Sequence, residues 1–222
     1  MGDPKVVVAP EVSVETVFDA SDAAPCVTVF GASRAAPGSA TYEASVAVGA
    51  ALARLGCVVV NGGYTGVMEA SAAGATAAGG RAYGIVVPSV FVERHRRGGA
   101  NAHLTGAVHA PSLAERVDLL CHGARGKGIT FFVVMPGTLG TLHEFATVWD
   151  EVNVAQFSGA RAPVIFAWRD PWEALVRSMY DSLDMRCPAL LDAVTFVDSA
   201  EDLEEKVRAR PDLLMSVKSE NK

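Results

Sequence analysis

The sequence predicts an α/β protein with a Rossmann-like fold, in which a doubly wound parallel sheet forms a single domain. Two observations lead to this prediction. Short apolar runs rich in β-branched residues alternate along the chain with segments of helical length, and Gly or Pro flanks the apolar runs. This alternation is typical of βαβ units, whose helices cover both faces of a parallel sheet. A chain of 222 residues is also long enough to bury a substantial core.

The apolar runs predict five strands, at 26–31, 56–63, 81–88, 128–137 and 162–168. The intervening segments predict four helices, at 41–56, 66–80, 112–124 and 141–157. The alanine-rich stretch 70–79 falls in the second helix, where small side chains would let the helix lie close to the sheet. The predicted organisation is an N-terminal extension (1–24), the domain (25–214) and a polar tail (215–222).

Composition excludes several classes of function. The formal net charge of −6 disfavours a nucleic-acid-binding protein. No apolar stretch reaches the length of a membrane span and no signal peptide is recognisable, so we expect a cytoplasmic protein without a membrane partner. The basic loop 93–99 is interpreted as a solvated loop, or alternatively as a clamp over a ligand.

Cysteine and histidine spacing predicts neither a disulfide framework nor a metal site. The four cysteines have no CxxC spacing and lie in apolar contexts, so they are interpreted as reduced core thiols. They are Cys26, Cys57, Cys121 and Cys187. The five histidines show no metal-binding spacing. We therefore expect no metal and no cofactor.

Glycine-rich turns follow two of the predicted strands, and a serine-bearing turn follows a third. The sequences are FGASR (30–34), NGGYTGVME (61–69) and MPGTLGTLHE (135–144). Ligands of a parallel sheet bind at the carboxyl ends of its strands. Backbone N–H groups and helix dipoles at such turns favour an anion, most plausibly a phosphate. One such turn alone would be explained equally well as a tight βα connection, but three at one edge favour a phosphate site.

Glu144 lies one helical turn beyond the third of these turns and three residues from Thr141, on the same helix face. A carboxylate there, behind a bound phosphate, would be able to hydrogen-bond ribose hydroxyls, activate water or stabilise an oxocarbenium-like sugar. The structural alternative is an acidic residue favoured by the helix dipole. These residues by themselves leave both interpretations open.

The segment PGTLGTLHE resembles the PGGxGTxxE motif of the Lonely Guy family, the cytokinin-activating nucleoside 5′-monophosphate phosphoribohydrolases. VFGASR and NGGYTGVME resemble the family's first two turns, and SLAERVDLL falls where the family has an Arg-Lys pair. The resemblance covers roughly residues 26–185. It implies a homodimer that hydrolyses the N-glycosidic bond of a purine-type nucleoside 5′-monophosphate, releasing free base and ribose 5-phosphate.

The resemblance also implies roles for individual residues. Arg116 and Glu144 match the catalytic pair, and the guanidinium is expected to keep the carboxylate ionised. The expected substrate-binding residues are Ser33, Gly62, Gly63, Gly66, Met68, Gly137, Thr138, Leu139, Gly140 and Thr141. The expected partners are a small-molecule nucleotide and a second copy of the chain. The apolar residues of helix 141–157, which include Phe145, Trp149 and Phe157, are expected to form part of the dimer surface.

Four residues depart from the family pattern. Thr138 replaces a glycine, Val117 replaces the lysine of the pair, His143 replaces a glutamate and Asn61 replaces the first glycine of a triplet. Thr138 is expected to restrict the backbone of the phosphate turn. Arg116 and Glu144 favour the enzyme, whereas Thr138 and Val117 favour the alternative function, a non-catalytic nucleotide or phosphorylated-cofactor binding protein similar to molybdenum-cofactor carriers.

The family has also been labelled lysine decarboxylase-like, and the sequence argues against that activity. Pyridoxal-phosphate chemistry needs a lysine that forms a Schiff base. Lys127 is the one lysine within the predicted core region, and it precedes a strand, at the edge opposite the predicted ligand site.

Overall fold

The computed structural model of the protein describes residues 9–19, 24–93, 99–124 and 128–215. Within these ranges, seven parallel strands form one sheet in the order β4-β3-β2-β1-β5-β6-β7. The strands are β1 Cys26–Phe30, β2 Val58–Asn61, β3 Arg81–Val86, β4 Gly106–His109, β5 Phe131–Val134, β6 Ile165–Trp168 and β7 Val194–Val197. The predicted Rossmann-like, single-domain fold is thereby confirmed.

Helices cover both faces of this sheet. They are α1 Val14–Val17, α2 Ala40–Arg54, α3 Val67–Ala77, α4 Leu113–His122, α5 Leu139–Ser158, α6 Arg169–Ser182, α7 Pro188–Asp192 and α8 Ala200–Arg208. Side chains of α2, α3 and α8 pack in the core on one face, and side chains of α4 to α7 pack in the core on the other. In β1, Val27 and Val29 face the first core and Cys26 and Phe30 face the second, as the alternation of a strand requires.

The alanine-rich helix α3 packs closely against α2 because glycines stand at the contact. A Cβ atom at Gly49 in α2 would collide with the backbone oxygen of Ser71, and one at Gly74 in α3 would collide with that of Val46. The two helices therefore touch through their backbones, which fixes α3 and the turn that precedes it.

The N-terminal segment packs on the domain. The backbone N–H of Val12 donates to the oxygen of Ala107 in β4 at 2.9 Å, and the N–H of Ala107 donates to the oxygen of Pro10 at 2.8 Å. Val17 and Phe18 are buried in the core. Residues 10–18 of the predicted N-terminal extension therefore contact the sheet and the core.

The sequence analysis interpreted the four cysteines as core thiols. Cys26, Cys57 and Cys121 are buried, and Cys187 is half-buried. Burial raises the pKa of Cys57 and of Cys121 to about 12, which makes both thiols unreactive at neutral pH.

No helix in the described ranges is long and apolar enough to cross a membrane. Lys127 and residues 94–98 of the basic loop lie outside the described residues.

Candidate functional site

The three turns predicted to form the ligand site meet at one edge of the sheet. They follow β1, β2 and β5, which are neighbours in the strand order. Backbone bonds join them: the N–H of Ala32 donates to the oxygen of Pro136 at 3.0 Å, and the N–H of Val67 donates to the oxygen of Ala32 at 3.0 Å. The Thr65 hydroxyl donates to the oxygen of Ser33 at 2.9 Å. The turns thus form one connected surface.

A pocket of about 150 Å³ opens at this edge. Its lining includes most of the predicted site residues: Ser33, Gly62, Met68, Arg116, Thr138, Gly140, Thr141 and Glu144. Arg116, Glu144 and the turn that precedes α5 therefore face the same space. This is the arrangement that strand-end ligand binding requires in an α/β sheet.

Four predicted site residues shape the turns without lining the pocket. Gly63 has a φ of +77° and Gly66 a φ of +72°, a left-handed region that favours glycine. Gly137 lies against Thr141, where a Cβ atom would collide with the threonine side chain. The Leu139 side chain is 79% exposed and points away from the core.

Sequence reasoning missed the other lining residues, which are Val29, Phe30, Gly31, Tyr64 and Phe91. Tyr64 and Phe91 pack edge to face with ring centroids 5.1 Å apart. The Tyr64 hydroxyl accepts a hydrogen bond of 2.8 Å from the N–H of Val87, which fixes its ring. The position of Tyr64 within the second glycine turn was a signal that could have found it. Phe91 lies in a loop and carries no such signal.

Arg116 is held from three sides. It sits on α4, whose first turn is capped by the Ser112 hydroxyl. Its Nε donates to the oxygen of Ile85 at 2.9 Å, and its Nη2 donates to the oxygen of Gly62 at 3.4 Å. A Cβ atom at position 62 would collide with Nη2, so glycine leaves room for the guanidinium in its present position. With 11% of its side chain exposed, Arg116 presents a fixed charge to the pocket.

Glu144 faces this charge at the pocket wall. Its Oε1 lies 3.5 Å from Nη1 of Arg116, and 13% of its side chain is exposed. Burial raises the pKa of Glu144 to about 7, and the nearby Arg116 charge only partly offsets that effect. The expectation that Arg116 keeps Glu144 ionised is therefore wrong, because desolvation outweighs the attraction at this distance. A carboxyl group with this pKa can both accept and donate a proton at neutral pH.

The amino end of α5 is open towards the pocket. Thr138 occupies the N-cap position in an extended conformation, with a φ of −119°, and its side chain makes no capping hydrogen bond. This conformation suits a β-branched residue, so Thr138 fits the turn without backbone strain. Thr141 is 3% exposed, lines the pocket, and its hydroxyl makes no hydrogen bond to any described residue. Helix N–H donors and one hydroxyl are thus available to a ligand.

The remaining departures from the family pattern lie outside the pocket. Val117 packs against the core below α4. His143 is exposed on α5 and does not line the pocket. Among the residues that the structure describes, no three His, Cys, Asp or Glu side chains form a group that could hold a metal ion.

The model of the SLOG cluster4 family matches residues 24–161, which are more than half of the chain and include every residue that lines the pocket. The chain belongs to the SLOG cluster4 family. This family falls within the superfamily of LOG-like and DprA-like proteins. No curated protein matches this SLOG cluster4 chain by sequence.

Solved structures share the fold of this SLOG cluster4 protein at low identity. The molybdenum cofactor binding protein of Rippkaea orientalis is 20% identical, with a TM-score of 0.64 over 85% of this chain and 98% of that chain. The Moco carrier protein of Chlamydomonas rheinhardtii is 17% identical, with a TM-score of 0.57 over 84% and 96%. DNA processing protein A of Helicobacter pylori is 10% identical, with a TM-score of 0.52 over 95% and 94%.

Proposed function

We propose that this protein hydrolyses the N-glycosidic bond of a purine-type nucleoside 5′-monophosphate. One observation carries the proposal: a buried carboxyl group with a pKa near 7, Glu144, faces Arg116 in a pocket that also receives the open end of α5. The open end of α5 would supply an anion site, Arg116 a fixed positive charge, and Glu144 a proton acceptor.

The phosphate would bind at the start of α5. The N–H groups of the first turn, at Leu139, Gly140 and Thr141, have no partner within a helix of this geometry. Thr138 provides no capping bond, and the Thr141 hydroxyl has no partner among the described residues. Donors of this kind, together with the positive end of a 20-residue helix, favour a phosphate over a neutral group.

The ribose would then lie over Glu144, one helical turn from the phosphate. In the proposed step, the oxygen of a water molecule forms a bond to C1′ while the bond from C1′ to the base nitrogen breaks. Ionised Glu144 takes a proton from the water, and the base leaves with the bonding electron pair and takes up a proton from the solvent, to which Glu144 then releases its own. The negative charge of Glu144 also stabilises the oxocarbenium-like transition state.

The base would occupy the other end of the pocket, against Met68, Tyr64 and Phe91. Met68 is 7% exposed and Tyr64 is 3% exposed, so this wall is formed by side chains already fixed by packing. A planar base gains stacking and dispersion energy on such a wall. The pocket therefore combines an apolar wall with hydrogen-bond donors, and a nucleoside monophosphate has a part suited to each.

The test is incubation of the protein with a panel of nucleoside 5′-monophosphates and measurement of free base by chromatography. We expect Glu144→Gln to lower the rate of base release by about 10²-fold or more, with a much smaller effect on monophosphate affinity. Arg116→Ala should impair both, because it removes a charge that faces the substrate. Since ionised Glu144 is the proton acceptor, the rate should also rise as pH increases through about 7.

The matched control is Glu151→Gln, which makes the same change two turns later on α5 at a side chain that is 43% exposed. It should leave the rate unchanged. If the wild-type protein binds a monophosphate but releases no base from any member of the panel, the alternative function replaces this one. The protein would then be a nucleotide or phosphorylated-cofactor carrier, a role similar to that named for the molybdenum cofactor binding protein and the Moco carrier protein.

We also propose a homodimer, on the resemblance to the Lonely Guy family and one surface feature. Most of the apolar residues of α5 that suggested a dimer, including Phe145 and Trp149, are buried within the single chain. Phe157 remains 86% exposed and Val154 42% exposed near the end of the same helix. Light scattering at micromolar concentration tests the assembly, and a monomeric mass would contradict it.

A further inference from the structure

Asn61 is a buried polar residue that the proposed mechanism does not use. It ends β2 and is completely buried. Its Nδ2 donates to the oxygen of Met68 at 2.9 Å and to the hydroxyl of Ser71 at 3.2 Å, and its Oδ1 accepts from the N–H of Gly63 at 2.8 Å. Every donor of the amide group is therefore used inside the protein. The amide joins the glycine turn to the first two turns of α3.

The groups held by Asn61 are covalent neighbours of those that contact Arg116. Nη2 of Arg116 lies 3.4 Å from the oxygen of Gly62 and 4.0 Å from the sulfur of Met68. Gly62 lies between Asn61 and Gly63 in the chain, and the backbone oxygen of Met68 accepts a hydrogen bond from the Asn61 side chain. The Arg116 guanidinium thus lies against Gly62 and Met68, and the side-chain amide of Asn61 links the two segments that carry them.

We propose that Asn61 is a positioning residue that holds Arg116 at its distance from Glu144. Without the amide, the glycine turn and Met68 lose their connection, and the Gly63 N–H and the Met68 carbonyl lose a buried partner. Arg116 would keep its bond to Ile85 but lose the defined surface beneath Nη2. The same bonds show that the Gly63 N–H is engaged by Asn61, so phosphate binding by that group is not part of the proposal.

The proposal predicts an effect on the proton affinity of Glu144. Arg116 is the charged group that acts on this carboxyl among the described residues. Cys121 also lies near Glu144, but burial raises the pKa of its thiol to about 12 and keeps it neutral. Movement of the guanidinium away from Glu144 therefore removes the attraction that favours the ionised carboxyl, and its pKa should rise.

The test is a ¹³C NMR titration of the glutamate side-chain carboxyls, in which the Glu144 signal is assigned by its loss in Glu144→Gln. Asn61→Ala is expected to raise the pKa of Glu144 by about one pH unit. Two controls separate positioning from general destabilisation. Leu203→Ala creates a cavity in the core beneath α8, on the same face of the sheet. Ser71→Ala removes the hydroxyl that accepts from Nδ2 of Asn61. Both should leave the Glu144 titration at its wild-type position.

An unchanged Glu144 titration in folded Asn61→Ala would overturn the proposal, as would an equal shift in Leu203→Ala. Should Asn61→Ala not fold, Asn61→Ser carries the same expectation, because one hydroxyl cannot replace both ends of the amide. The role of Asn61 in the reaction rests on the proposed hydrolysis, but this titration needs no substrate. A protein without hydrolase activity would therefore still show the shift if Asn61 positions Arg116.

Discussion

The helices of this protein begin in two different ways. The amino ends of α1, α2, α4 and α8 are each capped by a serine hydroxyl that accepts from a backbone N–H: Ser13, Ser39, Ser112 and Ser199. The ends of α3 and α5, which reach the pocket, have Gly66 and Thr138 at the N-cap and no side-chain capping bond. Two further uncapped helices, α6 and α7, carry a proline in the first turn, and proline has no N–H to satisfy.

The difference shows where this fold leaves hydrogen-bonding capacity unused. In α3, the N–H of Val67 is already satisfied by the oxygen of Ala32, so part of that end is closed by the neighbouring turn. In α5, the end has neither a capping side chain nor such a bond before Leu142. Thr138, Leu139 and Gly140 at this end are exposed and Thr141 is buried, so the N–H groups of the first turn face solvent and the pocket. The end of α5 therefore leaves these donors open to water or to a ligand.

The largest effect that we expect concerns the buried carboxyl one turn inside this open end. The pKa of Glu144 is raised to about 7 by burial, from a model-peptide value near 4.5. The folded protein therefore binds a proton that the unfolded chain releases between about pH 4.5 and 7. The stabilisation from this proton is complete below pH 4.5 and is lost as pH rises through 7.

Urea denaturation between pH 5 and 8 measures this loss. The free energy of unfolding of the wild-type protein should fall, relative to that of Glu144→Gln, by roughly 2 kcal/mol across this range. The comparison with the variant cancels the contributions of the exposed acidic groups that both proteins share. Asp150→Asn, which changes an exposed carboxylate on the same helix, should follow the wild type at every pH. Parallel curves for the wild type and Glu144→Gln would mean that the carboxyl is ionised throughout.

The second prediction compares two buried threonines, one inside the open region and one outside it. The Thr28 hydroxyl donates to the oxygen of Leu120 at 2.8 Å, whereas the Thr141 hydroxyl has no partner among the described residues. We expect AMP to bind about 10²-fold more tightly than adenosine, because charge-assisted hydrogen bonds at the end of α5 need the phosphate.

Thr141→Val should reduce the affinity for AMP by about 10-fold and leave that for adenosine and the stability nearly unchanged. Thr28→Val should do the reverse, with a loss of about 1 kcal/mol in the free energy of unfolding and no change in the preference for AMP. Isothermal titration calorimetry and urea denaturation give the two quantities. Equal affinities for AMP and adenosine would remove the phosphate site from the proposal.

The fold and most of the pocket lining could be predicted because they depend on local patterns. Apolar runs and glycine turns identified β1, β2, β3, β5 and β6 with the edge where the site lies. The strand β4 was missed because only Ala107 and Val108 stand between Gly106 and His109, whereas β7 lies in the apolar run 193–197, which could have been recognised. The helices beyond residue 168 were missed with them. The N-terminal segment was separated from the domain because its pairing with Ala107 joins residues about 95 positions apart.

The properties of the site that could not be predicted depend on three-dimensional surroundings. The pKa of Glu144 was expected to be low because its partner is visible in the sequence, whereas the burial that raises it is not. Asn61 stood out only as a departure from a glycine triplet, and its three hydrogen bonds appear only when β2 and α3 are packed together. Phe91 reaches the pocket from a loop whose sequence gives no indication of it.

The smallest expected effect tests the comparison of helix ends directly, by removing the capping side chain of α8 and adding one to α5. Ser199→Ala removes the cap of α8 and should lower the free energy of unfolding by about 1 kcal/mol, with no change in AMP affinity. Thr138→Asp introduces an acceptor at the N-cap of α5, where the extended backbone already suits a cap. It should raise the free energy of unfolding by roughly 0.5 kcal/mol, because a carboxylate also interacts favourably with the helix dipole. The same carboxylate would occupy the donors proposed for phosphate and repel it, so AMP affinity should fall at least about 10-fold. Urea denaturation and calorimetry on both variants decide the matter: if Thr138→Asp binds AMP as tightly as the wild type, the open end of α5 is not where the phosphate binds.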